Sequence, residues 1–191
     1  MGLLSKLFGG SQKDMRVKNE LENYAETKLS YNIDEYYALL GKIQDWKSKK
    51  NYKKMLASCV KSLPLLPKLV ENTKKEYGAF DISSIPAIEV GCRYWAAMND
   101  KATLEVVKQV VASVAELQEG WGEEVEAAFE DEKLSARLQK YIKENSGTLQ
   151  SKLGKLLNVS GQDTARIVNT LNNLGRIKRV KSGKSYELYV E

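Results

Sequence analysis

Apolar residues recur every three or four positions along most of this chain, a spacing that predicts helices. Asp34 can cap a helix reaching about residue 48, in which Tyr37, Leu40, Ile43 and Trp46, or Tyr36 and Leu39 beside them, share a face. Asn51 can cap a second, with Tyr52, Met55, Leu56, Cys59, Val60 and Leu63 along one side. Pro64 and Pro67 then punctuate the chain, and a third helix carrying Leu66, Leu69, Val70, Thr73 and Tyr77 stops at Gly78. Ser84 can cap a fourth, through Ile85, Ile88, Cys92, Trp95 and Met98, and Asn99 and Asp100 break it. Residues 103–117 supply a fifth, with Leu104, Val107, Val110, Val111, Val114 and Leu117, and a short sixth spans residues 121–129. No strand alternation is visible before residue 175.

The last third has a different rhythm. A helix over residues 132–144 aligns Leu134, Leu138, Tyr141 and Ile142 before Asn145, Ser146 and Gly147 end it. Thr148 can cap a second helix with a stripe of Leu149, Leu153, Leu156 and Leu157. After a brief turn at Asn158 and Val159, Ser160 can cap a third over residues 162–174, with Ile167, Val168, Leu171 and Leu174 at core spacing and Gly175 as its stop. Beyond Gly175 the residues alternate. Ser182 and Gly183 favour a turn, and Tyr186, Leu188 and Val190 face one way on a returning strand, so a β-hairpin closes the chain. The predicted fold class is mainly α, a helical-hairpin array followed by three helices and a β-hairpin.

Charge divides the chain at the same place. The total of 30 Lys plus Arg against 25 Asp plus Glu gives only +5. Residues 133–191, however, hold 12 basic and 4 acidic residues, whereas residues 1–132 hold 18 and 21. The C-terminal segment therefore carries +8 and the rest −3. Residues 116–132 include eight acidic residues and no basic one. Such a run suits a solvated helix face or an intramolecular competitor for the basic segment. The predicted division is an N-terminal tail over residues 1–30 with room for a helix, an all-α region over 31–130, and a basic module over 131–191.

Other features remove chemistry. With no histidine, His-based triads, His-ligated zinc and imidazole bases are excluded. Two cysteines, Cys59 and Cys92, are too few for a metal cluster and read as reduced buried thiols of a cytoplasmic protein. Pro, Lys or Gln interrupts every apolar stretch well before a membrane span. The start of the chain lacks a signal-peptide core, and Lys6 occupies the myristoylation Ser/Thr position. No phosphate loop or nucleophile elbow is present, and Glu123, Glu124 and Glu126 are carboxylates without visible orienting partners. The expectation is no enzyme, no catalytic or metal residues and no cofactor.

Residues 132–191 resemble the winged helix-turn-helix family, including MarR-like and ArsR-like bacterial regulators. The resemblance rests on KLGKLLNVS (residues 152–160), ARIVNTLNNLGRIKR (165–179) and VKSGKSYELYV (180–190). Two positions depart from the family pattern. Thr164 stands where an apolar core residue is usual, and Asp163 would repel phosphate unless it pairs with Arg166 or accepts from a cytosine amino group. The resemblance implies that the third helix enters the major groove of duplex DNA, with Gln162, Asp163, Arg166, Asn169, Thr170 and Asn173 opposite Val168 and Leu171. It also implies phosphate contacts by Lys152 and Lys155 on the second helix and by Arg179, Lys181 and Lys184 on the wing.

The N-terminal helices contain an echo. An aromatic-rich helix, a polar break and an apolar helix occur around Trp46 and again around Tyr94 and Trp95. Stacked hairpins of this kind resemble tetratricopeptide-type repeats in plan, without that repeat's signature residues. Trp46, Trp95, Tyr36, Tyr37, Arg93 and Tyr94 can line a ligand pocket or belong to a core. Two functional expectations follow. One is a DNA-binding transcriptional regulator whose N-terminal helices self-associate or dock a partner. The other is a protein-interaction adaptor, because helical repeats followed by a winged helix also resemble PCI-type scaffold subunits.

Overall fold

The computed structural model describes residues 34–191, and the expected N-terminal tail lies outside the described residues. The described residues are mainly helical, with a small antiparallel sheet near the C-terminus. Six helices come first: α1 (Asp34–Ser48), α2 (Tyr52–Ser62), α3 (Leu66–Tyr77), α4 (Pro86–Ala97), α5 (Lys101–Ala112) and α6 (Ala115–Glu144), with a 3-10 turn at Leu63–Leu65. There follow β1 (Thr148–Leu149), α7 (Gln150–Leu157), α8 (Gly161–Asn173), β2 (Ile177–Ser182) and β3 (Ser185–Val190).

Three polar residues that precede apolar runs cap helices. Asn51 accepts from the amide of Lys54, Asp100 from that of Thr103, and Ser160 from that of Asp163. Each supplies an acceptor to an amide that lacks an intrahelical partner. The echo in the sequence is a repeated turn. Lys50 and Asn99 both adopt left-handed backbone, at φ 55° and 58°. The next amide, of Asn51 or Asp100, donates 2.8 Å back to the carbonyl of Trp46 or Trp95. The same residue then caps the next helix, so each turn ends one helix and starts its successor with no spare residue.

Ser84 does not cap α4. Its hydroxyl binds Glu89, while Ile85 occupies the cap and Pro86 the first turn, where a missing N–H costs nothing. The predicted fifth helix is shorter than expected. Val114 is extended at φ −134°, ψ 120°, and α5 ends at Ala112. The predicted sixth helix and the helix over residues 132–144 are one helix, α6, which runs through the charge switch near residue 130. No Gly or Pro interrupts the switch, and Glu130 pairs with Lys133 one turn on.

One face of α6 is buried along its whole length. Trp121, Ala128, Ser135 and Ile142, seven residues apart, all lie inside, joined by Leu117, Val125 and Leu138. Its first half packs into a core built by α1 to α5 around Met55, Leu66, Ile88, Trp95 and Leu104. Its second half packs with Leu153, Val168, Leu171, Ile177 and Leu188 into a separate core under α7, α8 and the sheet. Cys59 and Cys92 are free, buried thiols of the first core, and burial pushes both up to about 12. Among the described residues, no helix is long and apolar enough to cross a membrane.

Thr148 is not a helix cap either. It sits in β1 opposite Leu188, its hydroxyl donating to the Asn145 carbonyl, and Leu149 caps α7 with extended backbone. The sheet order is β1-β3-β2, all antiparallel. The hairpin loop is Gly183–Lys184, closed by the Ser182–Ser185 pair, and Gly183 takes the left-handed backbone (φ 54°) that such a loop asks of its first residue.

The α7–α8 turn depends on Gly154. A Cβ there would stand 2.9 Å from the Val159 carbonyl oxygen and 3.1 Å from the Thr164 hydroxyl. Val159 itself donates to the Gly154 carbonyl, so that oxygen cannot retreat freely. Gly154→Ala is expected to cost about 1–3 kcal/mol in urea unfolding. Gly161→Ala, whose Cβ meets nothing within 4 Å, is expected to stay within about 0.5 kcal/mol of the parent.

Candidate nucleic-acid interface

Helix α8 has two kinds of surface. Ile167, Val168 and Leu171 are buried against α6, α7 and the sheet. Gln162, Asn169 and Asn173 are exposed, with Ala165 and Asn172 half-buried at the edges of the same strip. Arg176, exposed just beyond Gly175, continues it. Sequence reasoning missed Ala165, Asn172 and Arg176. The seven-residue step from Gln162 to Asn169 to Arg176 was the signal that marks the strip.

Three predicted residues do not lie on that strip. Thr170 is buried at 5% exposure, its hydroxyl donating 3.0 Å to the Arg166 carbonyl. Arg166 is half-buried and turns toward α6, where its guanidinium donates to both oxygens of Asp131 and, at 3.0 Å, to Asp163. The two carboxylates hold the guanidinium above its ordinary range, Asp131 more than Asp163. Asp163 accepts 2.7 Å from the Ser160 hydroxyl and is held below its ordinary carboxyl range by that bond first and by Arg166 second. Its acidity therefore serves the helix start and the ion pair. Thr164, the other departure from the family pattern, is buried with its hydroxyl donating 2.8 Å to the Ser160 carbonyl, so it fills a core position without an unpaired group.

Two residues of the acidic run of α6 pair with the helical region, Glu116 with Lys74 and Glu126 with Lys108. Asp131 is the member of the run that pairs with α8. Its contact is part of a polar bridge between the two cores. Ser135 donates 3.0 Å and Gln139 3.1 Å to the Ala97 carbonyl at the end of α4. Tyr94 of α4 is buried on the side of α8, and that burial pushes its titration up.

The hairpin supplies the second half of the candidate surface. Arg179 and Lys181 lie on the sheet face that carries Tyr186 and Leu188. The Arg179 guanidinium stacks 4.0 Å from the Tyr186 ring centroid and donates 2.6 Å to the Asn169 side-chain oxygen. Lys181 sits 4.7 Å from the same ring. These contacts fix two cations beside the exposed strip of α8. Asn169 keeps its amide hydrogens for another acceptor, while its oxygen is occupied by Arg179. Lys184, at the hairpin tip, and Lys155, on α7, face each other across an open groove of about 780 Å³ with Ser151 and Tyr186 on its walls. Lys152 is exposed on α7. None of Lys152, Lys155, Lys181 and Lys184 has an ion-pair partner among the described residues.

The aromatic residues considered for a pocket do not share one. Tyr36, Tyr94 and Trp95 are buried in the first core, Trp46 packs against it, and Tyr37 is half-exposed at a separate cavity beside Tyr77. Arg93 is exposed. No protein-family model matches the chain, and neither curated proteins nor solved structures show a significant match to it.

Arg166→Ala and Asp131→Ala are each expected to destabilise the protein. Urea unfolding of the double-mutant cycle should return a coupling of about 1–2 kcal/mol, and a coupling near zero would dismiss the pair. The Asp163 carboxyl has its folded value below the ordinary 3.8. Its contribution to stability is therefore complete above 3.8 and lost as pH falls through the lower folded value. Asp163→Asn should flatten the acid limb of a melting-temperature profile in that window.

Proposed function

We propose that residues 131–191 form a winged helix-turn-helix that binds duplex DNA, and that the protein regulates transcription with its N-terminal helices serving self-association or a partner. Helix α8 is the reading helix, and the β2–β3 hairpin is the wing. The observation that carries this reading is the juxtaposition at Asn169. A polar, unobstructed helix face meets an arginine and a lysine held on the wing by one tyrosine ring.

Base edges are read by side chains that offer paired donors and acceptors, and phosphates are held by cations whose binding releases counterions. The exposed strip offers Gln162, Asn169, Asn172 and Asn173 for the first task. Around it Lys152, Lys155, Lys181 and Lys184 are unpaired and available for the second. Ala165 has little bulk to keep the helix backbone away from a groove floor. Arg166 and Thr170 take no part in reading, because one is engaged by Asp131 and the other is buried.

A second reading, a protein-interaction adaptor of PCI-like type, draws on a different observation. Leu156 on α7 is 55% exposed, an apolar foothold beside the basic groove. In that case an acidic protein partner, and not nucleic acid, would occupy the basic surface.

Binding of full-length protein to a labelled duplex, titrated over salt concentration, separates the two. Lys181→Gln with Lys184→Gln is expected to lower the slope of log affinity against log salt by about 2 units, since each phosphate contact contributes about 0.9. Asn169→Ala should leave that slope unchanged and relax preference at one base position by about 1–3 kcal/mol in a binding selection. Salt-insensitive or absent duplex binding by the parent protein would sink the nucleic-acid reading.

A further inference from the structure

The first third of the chain contains a lysine run, Lys47, Lys49, Lys50, Lys53 and Lys54, that belongs to none of the groups above. It lies on the α1–α2 turn, and the fold carries that turn to the C-terminal end of α8. An open cleft of about 710 Å³ there is lined by Lys49, Lys50 and Lys53 on one side and by Asn173, Leu174 and Arg176 on the other. Its walls include Leu56, Trp95 and Thr103, all buried in the packed interior, so the cleft is shaped by rigid elements.

The lysines are not equivalent. Lys49 pairs with Asp45, and Lys54 sits 4.4 Å from the Trp46 ring centroid. Lys50, in the left-handed turn, Lys53 and Arg176 are exposed and have no ion-pair partner among the described residues. The carboxylate that lines the cleft, Asp100, accepts from the amide and hydroxyl of Thr103 as the cap of α5. The cleft therefore has an excess of uncompensated positive charge.

We infer that Lys50, Lys53 and Arg176 form a second phosphate-binding site for the same duplex, supplied mainly by the helical region. This rests on the proposed reading of α8. A helix of 13 residues extends about 20 Å, against a major groove about 12 Å wide. When α8 lies across a groove, both of its ends reach a phosphate wall. The N-terminal end presents the amides of Gly161 and Gln162, which Ser160 does not cap, and a positive dipole end beside Lys155, which favour an anion. The C-terminal end presents carbonyls and a negative dipole end, which disfavour one. Cations from another part of the fold are needed at that end, and the α1–α2 turn delivers them there.

The test is the salt titration of duplex binding with full-length protein. Lys50→Gln with Lys53→Gln is expected to lower the slope by about 2 units and weaken binding at low salt. Lys68→Gln with Lys75→Gln removes the same charge from α3, away from the cleft, and should leave the slope close to the parent value. Circular dichroism and melting temperature confirm that both variants are folded. If the cleft pair keeps the parent slope while Lys181→Gln with Lys184→Gln lowers it, the second site is overturned and the reading of α8 stands. An equal fall for the α3 pair means bulk charge, and also overturns it. If neither the hairpin pair nor the cleft pair changes the slope, the reading of α8 and this site fail together. Polyglutamate binding that the cleft pair abolishes, without any effect of that pair on duplex binding, assigns the cleft to an acidic protein segment and rejects the proposal.

Discussion

A helix has one rotational setting along its whole length, and in this protein one helix serves two cores. Trp121 and Val125 set α6 against the helical region, and Leu138 and Ile142, on the same face, set it against α7, α8 and the sheet. Turning α6 to improve one core would expose the other. The relative orientation of the two parts is thereby fixed by side-chain phase, in addition to the surface contacts between them. The polar bridge adds direction: the Ala97 carbonyl accepts from Ser135 and Gln139, and Arg166 reaches Asp131 across the same line. These bonds satisfy groups that burial would otherwise leave unpaired.

The same constraint allocates the surface of α8. The side toward α6 is used for packing and for the Arg166–Asp131 pair, and α8 also packs against α4. What remains is a narrow exposed strip between the hairpin and the lysine-bearing α1–α2 turn. A short helix packed on α4, α6, α7 and the sheet has few faces left, and their polarity is then informative. The strip is rich in amides and poor in charge, while the residues flanking it are basic.

Much of the architecture was legible in the residues. Helix caps at Asn51 and Ser160, stops at Gly78 and Gly175 and the alternation of the hairpin all follow from local chemistry, and the structure agrees. The misses share a cause. Thr148 looks like a cap, but Leu188 offers it a strand partner forty residues away, and no local pattern reports that pairing. The apolar pattern suggests separate helices over residues 121–129 and 132–144, yet helix continuity depends on backbone and packing, which that change of pattern does not disturb. At the candidate site, helical phase placed Gln162 and Asn169 correctly and marked Val168 and Leu171 as core. It could not reveal that Arg166 and Thr170 face another part of the fold, because α6 and α4 approach that flank from outside the helix. The contribution of Lys50 and Lys53 to the same end of α8 is likewise tertiary.

The two thiols give the two halves of the molecule different chemistry. Cys59 and Cys92 both lie in the core of the helical region, and the C-terminal core holds no cysteine. Burial keeps them protonated far above neutral pH, so an alkylating reagent finds almost no thiolate until that core opens. The rate at which reagent consumes the thiols then measures opening of the α1–α6 core alone. Melting confined to the hairpin or to α7 would pass unseen by it, whereas loss of α6 register would be seen from either side. The protein thus carries its own probe of whether its halves unfold as one body or in turn.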